Sequence, residues 1–249
     1  VAIEPLIVAH RGASRDAPEN TIPSFTLAWE QGADAIEGDF HLTRDAQIVC
    51  IHDRDTRRLT GQEKAIKDCS LEELKSLDVG AWFGDAFKGT RIPTLSEVFS
   101  TMPQGKGVFI EIKCGPEILT RLLEEIRISK VRWEDVVVIS FNRKVIQALK
   151  GIAPHLKALW ISSFRRGKDG MFAPSIASVL KVLKTTHSDG FSSPAHAIVD
   201  GPFVASLRER GYEVHVWTID DLSTAKRFLG YGVASITTNV PGYLKRNLR

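Results

Sequence analysis

The chain has 249 residues, 43% hydrophobic and 25% charged, with a formal charge of +3. That is enough for one large α/β barrel or two modest domains, at a composition ordinary for a globular protein. Lys and Arg are spread without a basic run, which argues against a nucleic-acid partner, and no apolar stretch approaches a membrane span, which argues against stable membrane insertion.

Leu6 to Ala9 is a short apolar run, the mark of a buried strand, and it ends in His10-Arg11-Gly12. The next loop closes with Pro18-Glu19-Asn20-Thr21, where Asn20 or Thr21 can cap a helix carrying Pro23 in its first turn. Ile22, Phe25, Ala28 and Trp29 recur at helical spacing, and Gly32 ends that helix. Ala35 and Ile36 open a second strand that carries Glu37 and Asp39. Side chains two apart on a strand point the same way, so these carboxylates lie side by side, an arrangement that calls for a neutralising cation. A turn leads to a third strand, Ile48 to Ile51, which stops abruptly at His52-Asp53.

From residue 54 to 93 the pattern departs from a short βα loop and predicts an inserted subdomain folded over the mouth of a single domain spanning 1–249. Ser70 opens a capping box for a small helix with Leu71, Leu74 and Leu77 on one face. The turn at Trp82-Phe83 is expected to form the insertion's small core rather than a cofactor box. Beyond it, Thr94 caps a helix over Leu95 to Thr101, and Val108 to Ile112 forms a strand carrying Glu111 with Lys113 after it. Helices over Ile118–Ile128, Val145–Gly151, Ser175–Lys184, Phe203–Gly211 and Leu222–Gly232 alternate with strands at Val136–Ile139, Lys157–Ile161, a weak one ending at Gly190-Phe191, Glu213–Trp217 and Val233–Thr237.

This alternation indicates parallel βαβ units. The count is nine strands, one more than an eight-fold barrel needs, with the sixth and seventh the weakest. His10, Glu37, Asp39, His52, Glu111, Lys113 and Trp217 all fall at strand carboxyl ends, the face that holds the active site of a (β/α)8 TIM barrel. Three carboxylates supply hard oxygen ligands suited to Mg²⁺ or Ca²⁺. Arg11 and Lys113 are donors without acceptors, appropriate to a phosphate. His10 and His52 titrate near neutrality, as an acid and base pair must. Metal, cationic clamp and paired histidines describe phosphodiester cleavage better than any other reaction class.

In order and spacing, HRG at 10–12, PENT at 18–21, EGD at 37–39, HD at 52–53, EIK at 111–113 and VWT at 216–218 resemble the glycerophosphodiester phosphodiesterase family over nearly the whole chain. The resemblance implies a TIM barrel and a divalent metal. It further implies hydrolysis of small-molecule glycerophosphodiesters to glycerol 3-phosphate and an alcohol. It assigns His10 and His52 as acid and base, and Glu37, Asp39 and Glu111 as metal ligands. Arg11 and Lys113 would hold the phosphate, Trp217 would line the glycerol pocket, and Glu19 and Asn20 would fix the first loop. A lysophospholipase D, a phospholipase D of the sphingomyelinase type, and a barrel that binds phosphodiesters without turnover stay open as alternatives.

The chain departs from the family pattern at Gly38, Ala46, Ile219-Asp220 and Thr238-Asn239. None of these is expected to touch a ligand or either histidine, and Asp220 is expected to alter the charge at the rim and so the preferred alcohol group. His41 faces with the acid pair but is left out of the metal site, His215 is expected to be an interior hydrogen-bonded histidine, and His155, His187 and His196 surface or loop residues. The basic residues Lys245, Arg246 and Arg249 read as a solvated helix end. Cys50, Cys69 and Cys114 lack metal-ligand spacing, which favours a reducing compartment and a cytoplasmic location, with a leader removed ahead of Val1 left open. No Ser, Thr or Cys falls at a motif strand end beside a histidine, so the expected nucleophile is the substrate's own 2-hydroxyl, giving a cyclic phosphate that water then opens.

Overall fold

The structure, a computed structural model, describes residues 5–168 and 170–248. The first half runs β1 (Leu6–His10), α1 (Ile22–Glu30), β2 (Ala35–Leu42), β3 (Ile48–Cys50), α2 (Arg57–Thr60), α3 (Leu71–Lys75), α4 (Leu95–Ser100), β4 (Gly107–Ile112) and α5 (Leu119–Ile128). Then come β5 (Val136–Ser140), α6 (Arg143–Ile152), β6 (Lys157–Ile161), β7 (Arg165–Arg166), β8 (Phe172–Ala173), α7 (Ile176–Thr186), β9 (Gly190–Pro194), α8 (Gly201–Arg208), β10 (Glu213–Trp217), α9 (Leu222–Tyr231), β11 (Ser235–Thr238) and α10 (Pro241–Asn247).

β1 pairs in parallel with both β2 and β11, so the main sheet closes on itself. Of its nine strands only β3 is antiparallel, which leaves eight parallel strands in the ring, a TIM barrel. The surplus strand is therefore the third, not the sixth or seventh. The weak strand near Gly190 begins there instead of ending there. His187 adopts φ +55° and stops α7, and the chain enters β9 three residues later. The pattern gave no sign of the β7–β8 hairpin, whose strands are two residues each.

Alternation along β2 sets what faces where. Ile36 and Phe40 pack outward with Phe25 of α1 in the core beneath the helices, while Ala35 points into the barrel beside Val8, Phe109, Leu159 and Ile161. Fully burying side chains of this size contributes ~1.5–3 kcal/mol each. Gly38 sits on the outward side, where a Cβ would lie 3.2 Å from both Phe25 and Phe40 and 3.1 Å from Cys50 Sγ. Aromatic volume from Phe25 and Phe40 fills the space that an aliphatic side chain would take.

Residues 51–92 bury a cluster of their own around Ile51, Leu59, Ile66, Leu74, Leu77, Val79 and Ile92. The Ser70 and Thr94 capping boxes form as their spacing predicts. This small core is aliphatic. Trp82 is 46% exposed and meets Phe83 edge-on outside it, so the aromatic turn is not the centre expected of it. At the other end of the chain, Lys245 Nζ donates to both oxygens of Asp34 at 2.8 and 3.0 Å, tying α10 down rather than leaving a solvated tail. Arg249 lies outside the described residues. Among those described, no helix is long and apolar enough to cross a membrane.

Candidate active site

Strand ends deliver most of the chemistry to one mouth. Register sets His10 beside Glu37 and Asp39 beside Glu111, so residues from β1, β2 and β4 meet there. His52 arrives differently from expectation. It follows β3, which runs antiparallel to β2, and Ile51 N donates to Asp39 O at 2.8 Å. The return leg of the hairpin thus carries His52 back over the mouth, although it is not at a barrel strand end. His41, which stays out of the carboxylate cluster as expected, has Nε2 3.2 Å from the His52 carbonyl and fixes that leg by donating to it.

The first loop depends on three left-handed residues: Arg11 (φ +55°), Gly12 (φ +85°) and Asn20 (φ +57°). Gly12 is required there, because a Cβ would fall 2.6 Å from the backbone of Ser24. The turn aims the Arg11 N–H at Glu37 Oε2 (3.0 Å) and sets Asn20 against Asp39. Asn20 Nδ2 donates to Asp39 Oδ2 at 2.8 Å, and Asp39 N donates to Asn20 Oδ1 at 3.1 Å.

Oxygen atoms of Glu37, Asp39 and Glu111 lie within 4.8 Å of one another. Two cations face them. Arg11 Nε is 3.2 Å from Asp39 Oδ2, and Lys113 Nζ is 2.7 Å from Glu111 Oε1 and 3.2 Å from Asp39 Oδ1. Burial, then the charges of Asp39 and Glu111, push the Glu37 carboxyl well above its ordinary range. Burial and then Asp39 push Glu111 up to about 7. Burial also opposes ionisation of Asp39, but Lys113 and Arg11 outweigh it and hold that carboxyl low. Two fixed cations leave three crowded carboxylates short of positive charge. An all-oxygen donor set at this spacing fits a hard divalent cation such as Mg²⁺ or Ca²⁺.

Each histidine has a partner of different charge. His10 Nδ1 lies 2.7 Å from Asn239 Oδ1, and burial, followed by the nearby Arg11, lowers its pKa. His52 Nδ1 lies 2.7 Å from Asp53 Oδ1, a carboxylate that can accommodate a positive ring. Asp53 is steadied by Arg58 of α2, whose Nε donates to Oδ2 at 2.5 Å. The same guanidinium grips Glu19 through both terminal nitrogens at 2.7 and 3.1 Å, and Glu19 in turn accepts from Arg11 Nη1 at 2.9 Å. One arginine from the segment after β3 therefore links the loops that carry Arg11 and His52. The departures at 220 and 239 are not silent either: Asn239 contacts His10, and Asp220 binds Asn239. The sequence marked Asn239 only as a departure and carried no signal for its contact with His10, 229 residues away, or for that of Arg58 with Glu19, 39 residues away.

A cavity of about 150 Å³ opens beside these groups, walled by His10, Glu37, Glu111, Lys113, Phe141 and Trp217 over a floor that includes Phe109, Ile161 and His215. Trp217 stands edge-on to Phe141, and its buried Nε1–H has no hydrogen-bond partner among the described residues. His215 is an interior residue bonded to Ser235 and Glu213, as expected. A broader cleft of about 660 Å³ shares His52, Glu111, Lys113 and Phe141 with the cavity and runs outward past Asp53 and Arg54.

The sequence model of the glycerophosphoryl diester phosphodiesterase family matches residues 10–243. The chain is 36% identical to the glycerophosphodiester phosphodiesterase of Caldanaerobacter subterraneus subsp. tengcongensis over 241 residues, 95% of this chain and 94% of the other. To that of Bacillus subtilis it is 28% identical over 252 residues, 95% of this chain and 84% of the other. Among solved structures, it resembles an Oleispira antarctica phosphodiesterase in complex with the product sn-glycerol-3-phosphate, with a TM-score of 0.88 at 28% identity over 98% of this chain and 96% of that one. The Agrobacterium tumefaciens glycerophosphodiester phosphodiesterase is similar at a TM-score of 0.80, 28% identity, 97% of this chain and 99% of that one.

Proposed function

This chain belongs to the glycerophosphoryl diester phosphodiesterase family, and from that premise we infer how its mouth residues divide the work. It is a phosphoric diester hydrolase of the glycerophosphodiester class. The observation that carries the finer reading is the convergence on one small cavity of two histidines with unlike partners and the carboxylates of Glu37 and Glu111, with Asp39 clustered beside them. Glu37, Asp39 and Glu111 would hold Mg²⁺ or Ca²⁺, which when bound offsets phosphate charge and acidifies a nearby hydroxyl.

The chain's own groups do the rest. Arg11 and Lys113 bind the phosphate oxygens, and the cavity beside Trp217 and Phe141 takes the glycerol. His10, paired to a neutral amide and close to Arg11, begins uncharged and accepts the proton of the substrate's 2-hydroxyl at Nε2. That oxygen attacks phosphorus while His52, oriented by its contact with Asp53, gives a proton to the departing alcohol oxygen. The cyclic 1,2-phosphate of glycerol is then opened by water with the two histidines in exchanged roles. The product is sn-glycerol 3-phosphate, the ligand of the Oleispira relative. Residues 1–249 act as one domain in this reading, with 54–93 an insertion whose Arg58 braces the mouth.

Two substrates test the proposal. Glycerophosphocholine should yield glycerol 3-phosphate and choline, whereas phosphocholine as the product would assign the wrong bond. The analogue lacking only the 2-hydroxyl should bind but turn over very slowly. Hydrolysis of that analogue at a comparable rate would mean that water attacks directly.

A further inference from the structure

We propose that Asp220 is a positioning residue that sets the tautomer of His10 through Asn239, an inference that rests on His10 being the initial proton acceptor. Asp220 lies three residues beyond the end of β10, and its carboxylate is turned wholly toward the loop after β11. Oδ1 accepts from Asn239 N at 2.8 Å and from Thr238 Oγ1 at 2.9 Å, and Oδ2 accepts from Asn239 Nδ2 at 2.7 Å. A carboxylate has no hydrogen to give, so only the NH₂ end of the Asn239 amide can face it. Rotating that amide by half a turn would set oxygen against oxygen.

The amide oxygen is thereby committed to the other side. It lies 2.7 Å from His10 Nδ1 and 2.9 Å from Ser14 Oγ, and both of those groups must donate to it. Nδ1 then carries the hydrogen, and the lone pair is left on Nε2, for the cavity that His10 lines. A free neutral histidine favours the opposite tautomer, with hydrogen on Nε2, so the useful form needs this support. A reversed amide would present N–H to Nδ1, force hydrogen onto Nε2 and remove the base. An amide relays orientation while the negative charge stays one residue further from the ring.

The test joins a tautomer reading to kinetics. In protein labelled with ¹⁵N histidine, the ring of His10, assigned against His10→Ala, should show a protonated Nδ1 and an unprotonated Nε2. Asp220→Asn removes the fixed acceptor, so the Asn239 amide can turn. The His10 signals should shift toward protonated Nε2, and kcat should fall on the order of a hundredfold with KM within about twofold. The double variant Asp220→Asn/Asn239→Asp exchanges the carboxylate and amide, and should restore the tautomer and at least about tenfold of the lost kcat. Asn239→Leu leaves Asp220 bonded to the backbone N–H and should release the tautomer as Asp220→Asn does, which keeps the test usable if the first variant folds poorly.

An unchanged His10 tautomer in Asp220→Asn or Asn239→Leu would overturn the proposal, as would a folded double variant with no recovery. Because the tautomer is read without substrate, inactivity of the wild type toward glycerophosphodiesters would sink the functional reading and the base role of His10, while the tautomer shift would still decide whether Asp220 orients Asn239.

Discussion

Arg58 lines neither the cavity nor the broader cleft, yet its loss should be felt in catalysis. Its guanidinium bridges Asp53, which is bonded to His52, and Glu19, which is bonded to Arg11. Arg58→Met keeps the apolar stem and removes the fork. Arg58 is 44% exposed, Asp53 29% and Glu19 14%, so water screens the first pair more than the second. The stability loss should be ~1–2 kcal/mol, since partly exposed ion pairs contribute ~1 kcal/mol or less and charged hydrogen bonds to a more buried partner somewhat more. At roughly 2–4 °C per kcal/mol for a chain of this size, Tm should drop by about 2–8 °C. Asp53 keeps its bond to His52 but loses one of its two anchors. A general acid that spends less time aligned should cost about tenfold in kcat, equivalent to ~1.4 kcal/mol of barrier. Arg11, with Glu19 less restrained, should raise KM a few-fold. Arg58→Lys should recover one pairing at most, because an ammonium cannot span two carboxylates as a fork does. The assay is steady-state hydrolysis of glycerophosphocholine beside a thermal melt. A lower Tm with kcat within about twofold of wild type would reduce Arg58 to a structural tie.

His10→Ala and His52→Ala should each lower kcat on the order of a hundredfold or more, with the double variant little worse than the poorer single. Near-normal turnover by either would remove that histidine from the mechanism. Glu213 tests the interior. Burial opposes its charge, but hydrogen bonds from His215 and Lys157 prevail and hold the carboxyl down to about 2. Its folded pKa is below the unfolded value of ~4.3, so its contribution is full above that value and is lost as pH falls toward 2. Urea midpoints of Glu213→Gln should be lower than wild type near neutrality and converge with it in acid. A gap that stays constant down to pH 2 would contradict the assignment.

What could be read from the chain was local. Glu37 with Asp39, and Glu111 with Lys113, share faces by strand alternation alone, so the carboxylates and cations of the mouth were legible two residues at a time. His52 was found, but its route was misjudged. Only Thr43 to Gln47 separate β2 from β3, too short for the crossover that a parallel pair requires, so the antiparallel return was implicit in the spacing. Asn239 and Arg58 were not legible, because closing the barrel brings the last strand to the first and no periodicity encodes which loop tips then touch. Asp220 was noticed for its charge at the rim, but its role as an anchor for the residue beside His10 was missed.

The central claim is that Glu37, Asp39 and Glu111 serve a cation that hydrolysis requires, and metal removal tests it most directly. Protein stripped with chelator, with metal content checked by elemental analysis, should fail to release glycerol 3-phosphate from glycerophosphocholine. Mg²⁺ or Ca²⁺ should restore release better than an equal amount of Zn²⁺, because the donors are all hard oxygens. Full turnover by protein shown to retain no metal would contradict the account.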